Sequence, residues 1–264
     1  MSDTPATKEA GPPGPGVTAK WRLTAEFLDT CIQRAGSSFQ DGELAYLAMT
    51  SQVENSIRDR VAYEMHLQLR QSRLDIGREW TGLFAKGKDG QPTSRKVDLA
   101  VVEKPRRRLS YTPSPRGVVE FKAFYVHDVR SPGGHNRIFK AVYADVEKCV
   151  EWGSSIMGDV FSVVLLPSLR LIGDRHPYQI MGKRFEGKIQ LDNFMCWSER
   201  SSDEATVQAV SVLLSRLGPV RDGLIDAGAD SGVRATVPYV ILGSVSTETY
   251  ENLPRYRLPR QAAG

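Results

Sequence analysis

The sequence predicts an α/β fold in which one central sheet is flanked by helices. A long helical pattern begins at Gly42 and carries an apolar stripe at four-residue spacing, formed by Val53, Ile57, Val61, Met65 and Leu69. Two extended stretches rich in β-branched residues follow, at 97–102 and 117–124. A second helical pattern then leads into the apolar run at 160–166. Alternating helical and extended segments are typical of an α/β domain.

The composition is that of a globular chain. Of the 264 residues, 41% are hydrophobic and 25% are charged, which is enough to bury one large core. The longest clean apolar stretch, at 160–167, is far shorter than the roughly 20 residues that span a bilayer. The N-terminus lacks the basic-then-apolar pattern of a secretory signal. We therefore expect a cytoplasmic protein that does not associate with membranes.

Cysteine usage and net charge restrict the function classes only weakly. Cys31, Cys149 and Cys196 are odd in number and form no Cys-x-x-Cys pair, which predicts neither a disulfide framework nor a thiolate metal site. The formal charge of +4 and the pI of about 8.9 permit nucleic-acid binding without arguing for it.

The chain divides by composition into a tail and one domain. Residues 1–17 are rich in Pro, Gly, Ala and Thr and predict a disordered tail. Residues 18–264 are expected to form a single domain with a core at about 43–167 and a C-terminal extension at 168–264. In that extension Ser201 and Glu204 have the spacing of a capping box, which predicts a helix with the apolar stripe Val207, Val210, Leu214 and Leu217.

The two extended stretches bring charged side chains into an apolar context. Glu120 and Lys122 are two residues apart, so they emerge on the same face of a strand. Asp98 lies beside them if the two strands pair. Burying such charges is costly unless they serve each other or a metal ion. Hard carboxylate ligands suit Mg²⁺, whose ligand shell would be completed by waters and phosphate oxygens. The predicted chemistry is metal-assisted hydrolysis of a phosphodiester, with Lys122 orienting the attacking water.

These motifs are similar to those of a known superfamily. An acidic residue on a first helix, Asp in one strand (VDLAVV) and Glu-x-Lys in the next (VVEFKAF) resemble the PD-(D/E)XK, or restriction-endonuclease-like, nucleases. The resemblance covers roughly 43–167 and fits a core of helix, three strands, helix and strand, with 144–149 opening the second helix and 160–166 as the fourth strand. It implies a mixed central sheet flanked by helices. Residues 168–264 lie outside the resemblance and are expected to form an α/β extension.

The resemblance also implies roles for individual residues. Asp98, Glu120, Lys122 and Glu54 would be catalytic, and the metal ligands would be Asp98, Glu120 and the backbone carbonyl of Phe121. The cofactor would be Mg²⁺, with Mn²⁺ as a substitute. The substrate would be nucleic acid, DNA in preference to RNA, in restriction, defence or repair, and a homodimer would suit double-strand cleavage.

The sequence departs from the superfamily pattern and leaves the helix carboxylate open. No Pro precedes Asp98. The acidic helix residue is Glu54 or Glu64, and Glu54 is favoured because it precedes the helical stripe by one turn. The charged residues could also be a same-face ion pair on a half-exposed strand. In that case the chain would be a non-catalytic module that binds nucleic acid or protein.

A basic run lies between the two predicted strands. Lys104, Arg106, Arg107 and Arg108 share a Pro-containing segment that predicts a surface loop. They would grip a phosphate backbone, or they would form only a solvated surface, which is the usual role of a charge run.

Two further motifs resemble binding sites but lack residues that such sites need. Residues 82–89 imitate a phosphate-binding loop, but Asp89 replaces the required Ser or Thr, so a hairpin turn is favoured. A Pro-Gly-Gly segment carries His127, Asp128, His135 and Asn136, which no further His or Cys completes as a metal site. It is expected to be a flexible loop near the active face.

Overall fold

The structure is a computed structural model that describes residues 21–51, 53–86, 92–104, 115–150, 158–172 and 200–245. The helices in this part of the chain are α1 (Ala25–Ser37), α2 (Glu43–Thr50), α3 (Val53–Leu69), α4 (Val126–Arg130), α5 (Gly134–Val150) and α6 (Arg200–Leu214). The strands are β1 (Leu74–Lys86), β2 (Pro92–Glu103), β3 (Gly117–Ala123), β4 (Asp159–Leu165), β5 (Ser168–Leu171), β6 (Val220–Asp230) and β7 (Val233–Val245).

The strands form one mixed sheet of seven strands. Its order is β1-β2-β3-β4-β7-β5, and β6 also pairs with β7. Only β3 and β4 run parallel among these pairs, and the others are antiparallel. The predicted α/β class, with a mixed sheet and flanking helices, is therefore confirmed. No helix in the described part of the chain is long and apolar enough to cross a membrane.

The long helical pattern that begins at Gly42 is two helices, not one. Gly42 has a φ of 75°, a conformation that favours glycine, and precedes α2. α2 ends at Thr50 because Ser51 is extended, and its backbone N–H donates to the carbonyl of Leu47. The predicted stripe from Val53 to Leu69 is buried along α3. α2 and α3 are therefore separate helices, and Glu54 lies in the first turn of α3.

The second predicted helix begins earlier than expected. It starts at Gly134, where a Cβ atom would lie 2.2 Å from the backbone oxygens of Asp128 and Val129. His127 and Asp128 belong to the short helix α4, and His135 and Asn136 lie in the first turn of α5. The prediction of one flexible loop across these residues was therefore wrong.

β1 and β2 form the hairpin that the sequence favoured over a phosphate-binding loop. They pair antiparallel from Leu74↔Glu103 to Lys86↔Pro92, with an irregularity between Trp80 and Leu83. The connecting residues 87–91 lie outside the described residues.

The sheet separates two main layers of apolar side chains. α1, α2 and α3 pack on one face through a cluster that includes Phe121 and Val119. α4, α5 and α6 pack on the other face, and a small third cluster there contains Val118 and Cys149. Alternation along β3 thus turns Val119 and Phe121 toward α1–α3 and Glu120 toward α5.

The C-terminal segment is part of the same sheet. β7 pairs with β4 from Val160↔Val245 to Leu165↔Tyr239, so residues 168–264 supply β5, β6 and β7. The helix predicted from Ser201 and Glu204 is present as α6, in which Val210 and Leu214 are fully buried.

Candidate active site

The predicted site lies where β2 and β3 separate, a place we call the fork. The two strands pair at Val101↔Gly117, Ala100↔Val118 and Leu99↔Val119. β3 then continues beside β4 as far as Ala123↔Leu165. One further step of the β2–β3 register would set Asp98 opposite Glu120, and residues opposite each other in an antiparallel pair share a face. The fork therefore brings these two carboxylates together.

Asp98 spans the fork. Its Oδ2 accepts a hydrogen bond of 2.7 Å from the backbone N–H of Phe121, and its Oδ1 accepts one of 3.2 Å from Nη1 of Arg58. The N–H and C=O groups of one strand residue point toward the same neighbouring strand, so the Phe121 carbonyl is directed into the fork as well.

Glu54 reaches the fork from α3. Its Oε2 accepts a hydrogen bond of 2.8 Å from the backbone N–H of Ala123, at the end of β3. Burial raises the pKa of Glu54, although the Ala123 N–H and the Lys122 ammonium oppose the effect. Glu64 does not lie at the fork but near Cys31 on α1. Burial raises the pKa of the Cys31 thiol to about 12, and the negative charge of the nearby Glu64 adds to that rise. Of the two candidates, Glu54 is the one beside Lys122.

Lys122 is held by α5. Its Nζ lies 2.9 Å from Oδ2 of Asp145. Burial alone would lower the pKa of Lys122, but the Asp145 carboxylate, with help from Glu120 and Glu54, leaves that pKa raised. The side chain is therefore an ammonium at neutral pH, suited to orient a water or a phosphate and not to accept a proton.

Glu120 is the most deeply buried acid of the fork. Its side chain is 4% exposed, and its Oε1 forms an ion pair with Nζ of Lys148. Burial raises the pKa of Glu120 to about 7, against the pull of the Lys148 ammonium, and the negative charges of Asp98 and Asp145 add to the rise. Near neutral pH this carboxyl group exchanges readily between its acid and its carboxylate.

Three charged residues at the fork escaped the sequence predictions. Asp145 and Lys148 are three residues apart on α5, where they border the buried positions Val146 and Cys149. Arg58 stands one turn after Glu54 on α3, next to Ile57 of the apolar stripe, and is only 6% exposed. In each case the signal available in the sequence was a charged residue next to the buried face of a predicted helix.

The charges at the fork nearly balance. Four carboxylates, Glu54, Asp98, Glu120 and Asp145, meet three cations, Arg58, Lys122 and Lys148. With every group ionised one negative charge remains in excess. Opposite charges attract strongly where water is scarce, so these pairs also fix the positions of the side chains.

The oxygen ligands at the fork suit a hard divalent cation, although Asp98 and Glu120 already contact cationic side chains. Mg²⁺ needs only one or two carboxylates and fills its remaining positions with water. Asp98, Glu120 and the Phe121 carbonyl provide such a set. Among the described residues no group of three or more His, Cys, Asp or Glu is arranged to hold a metal ion. Arg58 and Lys148 occupy oxygens of Asp98 and Glu120 instead.

The predicted nucleic-acid contacts lie mostly beyond the described residues. Arg106, Arg107 and Arg108 fall in the segment 105–114, of which nothing is described. Lys104 donates from Nζ to the carbonyls of Arg70 and Ser72, each at 3.3 Å, and so stabilises the C-terminal end of α3. It follows Asp98 by six residues, about 20 Å along an extended strand.

Comparisons with family models, with curated proteins and with solved structures give no match to this chain.

Proposed function

We propose that this chain is a metal-dependent nuclease of the PD-(D/E)XK type that hydrolyses phosphodiester bonds at the fork, in DNA in preference to RNA. The observation that carries the proposal is the meeting of Glu54, Asp98 and Glu120 with Lys122, from three different elements, where two strands part. The order α3, β1, β2, β3, α5, β4 supports it, because it follows the expected order of helix, three strands, helix and strand apart from the short helix α4 before α5.

Each residue has a distinct task in this proposal. A divalent cation held by Asp98, Glu120 and the Phe121 carbonyl would polarise the phosphate and lower the pKa of a bound water. Lys122 would orient that water with its ammonium and offset negative charge that develops on the phosphate. Arg58 and the Phe121 N–H hold Asp98 in place, and the Ala123 N–H holds Glu54. Such fixed positions lower the entropic part of the barrier.

A second candidate function is a non-catalytic module that binds nucleic acid or protein. The observation in its favour is that Asp98 and Glu120 each contact a cation of the chain itself. Buried ion pairs of this kind also occur as purely structural features.

Cleavage assays separate the two functions. The chain is incubated with single-stranded and duplex DNA and RNA, in Mg²⁺, in Mn²⁺ and in EDTA. We expect cleavage only with the metals, and a loss of roughly a hundredfold or more in Asp98→Asn and Glu120→Gln, since each removes a charged ligand. Asp159→Asn is the matched control, because Asp159 is a buried carboxylate that pairs with Arg22 outside the fork. Binding without cleavage in every condition would favour the second function.

A further inference from the structure

The surroundings of Lys148 are those of a bound cation. Its Nζ contacts Oε1 of Glu120 on β3, lies 3.8 Å from Oδ1 of Asp145 on its own helix, and donates at 3.3 Å to the backbone carbonyl of Lys96 on β2. Two carboxylates and a carbonyl from three elements therefore surround one ammonium group. Carboxylate and carbonyl oxygens are also the ligands that hard divalent cations prefer.

Electrostatics explain why a cation is needed at this position. Glu120 is 4% exposed, and the negative charges of Asp98 and Asp145 act on it. A carboxylate so buried is costly without a positive partner. Lys148 supplies that partner from α5, and its own side chain remains 21% exposed.

We propose that the Lys148 ammonium occupies the position of the divalent cation in the unbound state and releases Glu120 when that cation binds. The inference rests on the proposed function, because it assumes that Glu120 becomes a metal ligand. Asp145 is the receiving group, since it lies one helical turn from Lys148 and 3.8 Å from its Nζ. A change of side-chain rotamer would move the ammonium from Glu120 to Asp145, beside Lys122.

This exchange accounts for two features of the fork at once. Glu120, although it belongs to the proposed ligand set, is occupied by the Lys148 ammonium in place of a metal ion. The Lys122 ammonium already lies at Asp145, so the same carboxylate would gather both lysines next to the substrate phosphate. Metal binding would then assemble the site, and before it Lys148, with Lys122 and Arg58, would offset most of the negative charge of the fork.

The test is direct binding of Mn²⁺ to the full chain, measured by the electron paramagnetic resonance of free Mn²⁺ at about pH 8. Lys148→Met should bind Mn²⁺ about tenfold more tightly than the parent, the gain expected if the Lys148–Glu120 contact is made nine-tenths of the time. Lys148→Gln should behave alike, because it lacks the charge, even though it keeps a hydrogen-bond donor near Glu120. Thermal melts verify that both variants fold.

Two control variants separate displacement from a general change in charge. Lys122→Met removes the same charge from the fork but leaves the Lys148–Glu120 contact, and Lys140→Met removes one from an exposed position of α5. Both should change the affinity for Mn²⁺ clearly less than Lys148→Met does. A parent that binds Mn²⁺ and cleaves, with no gain in Lys148→Met or an equal gain in Lys122→Met, would overturn the role of Lys148 alone. Absence of Mn²⁺ binding in the parent and in both Lys148 variants, without cleavage, would overturn the proposed function and this inference together.

Discussion

Glu120 faces a lysine from the neighbouring helix and has almost no contact with solvent. A lysine so placed lowers the cost of the negative charge but does not remove it, because burial still raises the pKa of Glu120 to about 7. At the scale of single residues, the folded state therefore favours the protonated form of the Glu120 carboxyl group. Ligand residues of metal sites often carry such a cost, since the metal provides the missing positive charge.

The first prediction concerns stability and pH. An unfolded chain releases the Glu120 proton near the ordinary value of 4.5, whereas the folded chain keeps it up to about 7. The folded state thus binds more protons in this window, and the free energy of unfolding falls as the pH rises through it. Gln cannot ionise, so Glu120→Gln should be more stable than the parent at pH 8, by on the order of 2 kcal/mol, and close to it at pH 5.

Urea unfolding of both proteins at the two pH values measures this difference. Glu103→Gln serves as a control, because Glu103 is a half-exposed carboxylate of β2 that pairs with Arg116. The same stability difference at pH 5 and at pH 8 would contradict a raised pKa for Glu120.

The second prediction tests whether Glu54 or Glu64 is the helix carboxylate of the site. Glu54→Gln keeps an oxygen that can accept from the Ala123 N–H, so the fold should persist while the charge beside Lys122 and Asp98 is lost. We expect cleavage to fall by about a hundredfold or more. Glu64→Gln, ten residues along the same helix and beside Cys31, should leave the rate nearly unchanged. Equal rates for the two variants would remove Glu54 from the site.

The sequence predicted the residues of the fork that share a strand or a short motif. Alternation along β3 put Glu120 and Lys122 on one face, and strand pairing added Asp98. Arg58 and Lys148 could not be predicted in the same way, because their partners Asp98 and Glu120 lie 40 and 28 residues away. Local periodicity predicts which face of a helix or strand a residue lies on, but it does not predict which other element packs against that face.

At the scale of elements, the fork exists because β2 has two neighbours over only part of its length. From Leu99 to Val101 it pairs with both β1 and β3, and from Pro92 to Val97 it pairs with β1 alone. The irregularity between Trp80 and Leu83 and the φ of 47° at Glu79 lie in the part of β1 that faces this change. An irregular ladder bends and twists its strands, which lets β2 leave β3 and open the space that α3 and α5 line.

The third prediction tests how α3 is fixed to the two strands. Arg58 is 6% exposed and contacts Asp98 on β2, Glu79 on β1 and Asp59 on its own helix. Arg58→Met leaves Asp98 without this cation and should lower the free energy of unfolding by about 3–5 kcal/mol. Arg60→Met, on the same helix but half-exposed, should cost about 1 kcal/mol through its contact with Glu43.

Urea unfolding gives both values, and a double variant sharpens the comparison. Arg58→Met combined with Asp98→Asn removes the uncompensated carboxylate together with its partner, so it should recover part of the lost stability. Strictly additive effects of the two substitutions would show that Arg58 stabilises α3 through packing and not through Asp98.

At the scale of the whole molecule, β7 joins the predicted core and the predicted C-terminal extension in one sheet. It lies beside β4, β5 and β6, and its residues Val237, Tyr239 and Ile241 belong to the same cluster as α1, α2 and α3. The sequence predicted the core at about 43–167 because the recognised motifs end there. Nothing in a local pattern indicates that a strand more than 70 residues later completes the sheet.

The last prediction follows from that position of β7. A chain that ends at Pro167 lacks β5, β6, β7 and α6, so Val163, Val164 and Leu165 of β4 lose their strand partner and much of their cover. An unpaired apolar edge favours aggregation, and we expect this chain to show no cooperative thermal transition by circular dichroism and to be largely insoluble. A chain that ends at Val245 is the control, because it keeps every described element and should melt cooperatively near the temperature of the full chain. If the shorter chain melts cooperatively and binds Mn²⁺ as the full chain does, residues 43–167 contain an independent core, and β7 only extends a sheet that is already stable.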